Sequence, residues 1–179
     1  MNKRQLKAIA DFMAGEKDKR DVLQGIFINF EEGTAVATDG QVLVEAQLQE
    51  LKRPGWGSVT IPSASVKAAL KAPCKGELEI TPSNIGPVEY APMRKEYPEY
   101  RFAIPANEAP GVLPWCEPKN LMKVANLKDA FGMPYSVRLP ENLIKAVRFD
   151  FRNGLEVPIV AVVAPRRAVL SNHKEYKND

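Results

Sequence analysis

One pattern recurs three times along the chain. A stretch with apolar residues at helical spacing is followed by short runs in which apolar and polar residues alternate. Such a repeat constrains architecture more than any single motif, because each unit can bury its apolar side only against a neighbour. In the first unit Leu6, Ile9, Ala10 and Met13 share one side of a helix predicted over 4–15, with Gly15 as its stop. A charged loop then leads into three predicted strands between Val22 and Gln49, separated by turns at Glu31-Glu32-Gly33 and Thr38-Asp39-Gly40. Asp-Gly between two apolar runs is a strong hairpin signal, because glycine accepts the positive φ of tight turns.

The second unit opens with a short strand, Pro62 and a helix running to residue 72, with Ser63 and Ser65 as cap candidates. GELEITPSNIG (76–86), PVEYAPM (87–93) and EYRFAIP (99–105) are read as its strands. Residues 106–117 are Pro-rich and read as a linker. The third unit has a helix over 119–132, carrying Leu121, Val124, Ala125, Leu127, Ala130 and Phe131. Its strands are YSVRLP (135–140), AVRFDFRNG (146–154) and VPIVAVVAP (157–165), with a turn at Arg152-Asn153-Gly154. The predicted organisation is a two-unit domain over 1–105, a partial domain over 118–170 and a polar tail over 171–179. An unpaired third unit would expose Leu121, Val124, Leu127 and the edge of VPIVAVVAP, which predicts a homo-oligomer. The competing outcome is that residues 106–170 fold back onto the first domain's edge.

Composition limits the chemistry. Hydrophobic residues at 45% and charged residues at 26% are globular values, and a net charge of +3 is compatible with nucleic acid without requiring it. Cys74 and Cys116 sit in no metal-like or redox-like spacing, and the lone histidine, His173, lies in the tail, so no Cys/His zinc site is expected. Gly55 and Gly57 flank Trp56 without the Lys-Ser/Thr of a phosphate loop. No catalytic constellation, metal or cofactor is expected. No signal peptide or membrane span is visible, which makes a reducing cytoplasm the simplest compartment.

The helices carry one sign of charge. The first has Lys3, Arg4 and Lys7, the second Lys67 and Lys71, the third Lys119, Lys123 and Lys128; only Asp11 and Asp129 offset them. Lysine is a good helix former, so one reading is a set of solubilising faces. The other is a surface that meets phosphates, which needs only spaced cations.

Three segments in order, AVATDGQVLVEA (35–46), VTIPSASVKAAL (59–70) and EYPEYRFAIP (96–105), resemble the middle domain of the bacterial DNA polymerase III beta sliding clamp. VAVVAPRRAV (160–169) is similar to that family's C-terminal strand. The resemblance implies an α+β, DNA clamp-like fold: helix-plus-strand units with helices on one face of antiparallel sheets. It also implies a ring in which helices face double-stranded DNA without reading bases. The implied function is a non-catalytic processivity factor that tethers a polymerase or another replication protein. The alternative is a clamp-derived interaction module, a decoy or regulator that encircles nothing. The family's pocket for partner peptides, carried over by position, falls on Thr38, Gly40, Gln41, Val42, Leu43, Pro98, Ala103, Ala164, Pro165 and Arg166. The chain departs from the family pattern at Gln41-Val42 (His-Arg there), at Phe102 (Arg) and at Ala164 and Arg166 (both Met).

Overall fold

The strands between Gly25 and Gln47 alternate apolar side chains toward two different partners, and this decides the layering. The computed structural model describes residues 1–74, 76–105, 116–132, 134–140, 145–152 and 158–165. In chain order its elements are α1 (Lys3–Ala10), β1 (Gly25–Asn29), β2 (Thr34–Thr38), β3 (Val42–Gln47), β4 (Ser58–Pro62) and α2 (Ser63–Lys71). A hairpin of β5 (Asn84–Ile85) and β6 (Val88–Glu89) follows. Then come α3 (Pro118–Asn126), α4 (Lys128–Phe131), β7 (Pro134–Arg138), β8 (Val147–Arg152) and β9 (Pro158–Val163).

Seven strands form one sheet in the order β4-β1-β2-β3-β9-β8-β7, with every pairing antiparallel. Side chains of a strand point alternately to opposite faces. Ile26 and Ile28, Ala35 and Ala37, Val42 and Val44, and Ile159, Ala161 and Val163 therefore share one face with Leu6 and Ile9 of α1, Val66 and Ala69 of α2, and Val124, Leu127 and Phe131 of α3 and α4. The intervening residues Val36, Leu43, Val160 and Val162 form a second cluster on the other face, under Tyr97 and Tyr100. The α+β arrangement is thus a layer of helices on one face of an antiparallel sheet, with an extended segment crossing the other.

Local chemistry corrects several boundaries. α1 starts at a reciprocal cap, in which Asn2 accepts the Gln5 N–H and the Gln5 side chain accepts the Asn2 N–H, and it ends at Ala10, well before Gly15. Neither Ser63 nor Ser65 caps α2: Pro62 holds the cap position, and no side chain bonds the first turn. The second unit's strands shrink to the two-residue hairpin, and EYRFAIP is no strand but a 3-10 turn, Arg101–Ala103. Its alternating apolar residues reflect Tyr97 and Tyr100 seated on Phe27 of β1. The ring centroids lie 5.1 and 6.3 Å from that of Phe27, and the Tyr100 hydroxyl donates to Glu45 at 2.8 Å.

The third unit pairs within the chain. β9 lies between β3 and β8, with Leu43 opposite Val162 and Val42 opposite Val163. Val124 and Leu127 are buried, and Leu121 is at the border of exposure. The apolar edge on which the expectation of self-association rested is therefore filled from the same chain. Asn153 and Gly154 of the turn predicted at Arg152-Asn153-Gly154, most of the Pro-rich linker and the polar tail lie outside the described residues.

Candidate functional site

The Asp39-Gly40 turn is held by its own side chains and by two distant cations. The Thr38 hydroxyl donates to the Val42 carbonyl at 2.7 Å and accepts the Gly40 N–H at 3.0 Å. One carboxylate oxygen of Asp39 accepts the N–H groups of Gln41 and Val42 at 2.9 and 3.0 Å. Its other oxygen accepts Lys123 Nζ of α3 at 2.7 Å. Arg20 donates to the Asp39 carbonyl at 2.9 Å. Gly40 sits at φ +85°, a conformation that calls for glycine, and a Cβ there would displace the Arg20 guanidinium 2.5 Å away.

Beside this turn, on the sheet face away from the helices, lies a cleft of about 460 Å³. Its floor is Leu43 of β3 and Val162 of β9, opposite each other across the seam, with Leu23 beside them. Its walls are the turn, Ala164 beyond β9, and the crossing segment at Pro98, Tyr100 and Ala103. The Ala164 N–H donates to the Gln41 carbonyl at 2.8 Å and fixes the wall to the turn. Thr38, Gly40, Gln41, Val42, Leu43, Pro98, Ala103 and Ala164 all line this cleft. Pro165 is half-buried but does not line it, and Arg166 lies outside the described residues.

Sequence reasoning missed Arg20, Val22, Leu23, Glu96, Glu99, Tyr100, Ala146 and Val162. Val162 was within reach of a pattern, since it shares a face with Ala164 at strand spacing. Arg20 carried no signal, because its place depends on a hydrogen bond to a residue nineteen positions away.

Burial has raised two phenols on this face. Loss of water pushes the Tyr97 and Tyr100 hydroxyls up, and the Glu45 carboxylate beside Tyr100 adds to the effect. Tyr90 is pushed up to about 12 by burial. A raised phenol favours the neutral form in the fold, so this stability is fully present below the ordinary value of 10.0 and is lost as pH rises through the folded values. Tyrosinate absorbance from these three of the five tyrosines should therefore emerge above pH 10, together with loss of near-ultraviolet circular dichroism. Titration of all five near 10 with the signal intact would show the crossing segment to be loosely seated. At the cleft's edge Asp18 is held down to about 2 by the Arg20 guanidinium, which engages it through two nitrogens.

The basic helix residues fall into three groups. Arg4, Lys71, Lys119 and Lys128 are exposed and, among the described residues, without an ion pair. Lys7 pairs with Asp11 at 3.1 Å, and Lys67 pairs with Glu16. Two residues are turned to structural tasks. Lys3 donates to the carbonyls of Leu70 and Ala72 at the end of α2, and Lys123 ties α3 to Asp39. Among the described residues no cluster of three or more His, Cys, Asp or Glu could hold a metal ion, and no helix is long and apolar enough to cross a membrane.

A single antiparallel sheet covered on one face by helices is a fold shared with the bacterial DNA sliding clamps. The DNA polymerase sliding clamp of Pseudomonas aeruginosa superposes with a TM-score of 0.67 at 14% identity, over 92% of this chain and 64% of the clamp. For the DNA polymerase III beta subunit of Thermotoga maritima the TM-score is 0.62 at 14% identity, over 99% of this chain and 65% of that one. The Helicobacter pylori beta clamp bound to a DNA ligase peptide gives 0.52 at 13% identity, over 92% and 63%. The chain thus spans a little under two thirds of the length of the clamps it matches. No protein-family model and no curated protein sequence matches it.

Proposed function

We propose that this chain is a non-catalytic, clamp-like protein that tethers a DNA-processing partner through a short peptide seated in the cleft. The observation that carries this reading is the convergence of three separated segments (the Thr38–Leu43 turn, the Pro98–Ala103 wall and Ala164) on one apolar slot. A bound peptide in one clamp of the same fold supports it. The helix layer would meet double-stranded DNA through exposed cations at phosphates, an interaction that holds without reading sequence. A polymerase or another replication protein would supply the peptide, in a cytoplasmic setting. Ring closure would need further copies of the chain, and β7 is one of the sheet's two outer strands, where Val137 is 47% exposed.

The cleft is tested with a labelled peptide carrying spaced leucine and phenylalanine anchors. Leu43→Ala should weaken its binding by about 1–3 kcal/mol, the range of a central interface residue. Amide chemical shifts should move at Thr38–Leu43 and Ala164, with unfolding curves confirming that the variant is folded. Shifts confined to the Asn29 end of the sheet would remove the peptide site from this cleft.

A second reading, an interaction module that encircles nothing, is favoured by the compensated charges of Lys7, Lys67 and Lys123 and by the filled β3–β9 seam. Solution mass with and without circular DNA separates the two. A monomer that stays monomeric with DNA supports the module.

A further inference from the structure

The charges around the cleft do not cancel. Arg20, the cation among its described lining residues, spends its guanidinium on the Asp18 carboxylate at 3.0 and 2.7 Å and on the Asp39 carbonyl. Three neighbouring cations are also engaged, while Arg94, two residues before Glu96, makes no ion pair among the described residues. Arg101 pairs with Glu32 and stands 3.9 Å from Glu45, Lys95 pairs with Asp21 at 2.8 Å, and Lys123 pairs with Asp39. The two glutamates of the wall are not. Among the described residues Glu96 makes no ion pair or hydrogen bond, and Glu99 accepts only the backbone N–H of Arg101 at 3.1 Å. They flank Pro98 at the mouth of an otherwise apolar slot, so among the described residues the cleft presents two carboxylates without an ion pair beside a hydrophobic floor. Next to Ala103 of the same wall, Phe102 is 91% exposed, an apolar ring at the rim with no protein cover.

Resting on the reading of this cleft as a peptide site, we propose that it selects segments in which an aliphatic or aromatic anchor is flanked within a few residues by lysine or arginine. The floor at Leu43 and Val162 takes the anchor, Glu96 and Glu99 take the cation, and Phe102 adds apolar surface at the rim. Opposite charge at the rim favours such segments at low salt, while acidic segments meet repulsion. The partner is thus a basic, apolar-anchored peptide, and segments with acidic flanks are rejected.

The test uses the full chain and three labelled octapeptides with one Leu-Ser-Leu-Phe core, flanked on both sides by two lysines, two glutamines or two glutamates. Fluorescence anisotropy at low salt should rank them lysine, glutamine, glutamate. The lysine peptide should bind about three- to tenfold tighter than the glutamine peptide, with the gap closing as salt rises. The double substitution Glu96→Gln and Glu99→Gln should erase the gap between the lysine and glutamine peptides. Glu96→Lys with Glu99→Lys should reverse the order. Equal affinities for all three peptides, or a lysine preference that survives the glutamine substitutions, would overturn this proposal and leave the peptide site standing. No binding by any of the three would overturn both. Concentration-dependent dimers dissolved by the glutamine peptide would instead seat a second copy in the cleft and also overturn the proposal.

Discussion

Alanine at Asp150 should lower the free energy of unfolding by about 3 kcal/mol, at the low end of the cost of stripping one partner from a buried ion pair. Asp150 is 2% exposed on β8, and its two oxygens are claimed by Arg138 at 2.9 Å and Arg148 at 2.8 Å. The arginines retain about a fifth of their exposure, so water recovers part of the loss. Arg148 also donates to the Pro105 carbonyl at 3.0 Å, which fastens the end of the crossing segment to the sheet. Damage at Asp150 should therefore reach the cleft wall, and Asp150→Asn, which keeps an acceptor, should cost less. Urea unfolding measures both variants. A loss below about 1 kcal/mol for alanine would class these three charges with ordinary surface pairs.

Reversing Arg4, Lys71, Lys119 and Lys128 to glutamate should weaken retention on circular DNA by on the order of a hundredfold at low salt. The salt dependence should flatten by about 0.9 in log–log slope for each phosphate that is no longer neutralised. These four stand on the helix layer, exposed and without an ion pair among the described residues. Neutralising Lys7 and Lys67 to glutamine should do much less, because Asp11 and Glu16 already compensate them. A nitrocellulose or gel-retention series across salt reads both sets. Equal effects from the two sets, or none from either, would reduce the helix cations to solubilising residues.

What could be read before the structure followed the range of the forces involved. The β1–β2–β3 meander and the Asp39-Gly40 turn were legible because alternation and turn chemistry act over a few residues. The helix layer was legible for the same reason, although α1 stops at Ala10 where periodicity extended to Gly15. Tyr97 and Tyr100 misled, because aromatic residues in an extended segment look the same whether they pair in a ladder or lie across a sheet on Phe27. Charge compensation was invisible: Lys67 and Glu16 are 51 positions apart and Lys123 and Asp39 are 84 apart, so no local pattern links them. Eight of the residues that the resemblance carries over line one cleft, whereas the cleft's charge depends on which of many loop charges find partners.

The seam between β3 and β9 has a consequence for the chain as it is made. Val42 and Val163 lie side by side in the sheet but are separated by more than a hundred residues of synthesis. A ribosome delivering about 5–20 residues per second exposes β3 for several seconds before its neighbour exists. During that interval the nascent chain carries an open, apolar strand edge, the feature most prone to pair with other chains. Leu43 is present early, but Val162, the other half of the cleft floor, arrives with the last described strand. A partner that recognises the completed floor therefore engages only chains in which β9 has paired with β3. Under the proposed function, pairing of the late strand thereby becomes a condition for binding at the cleft.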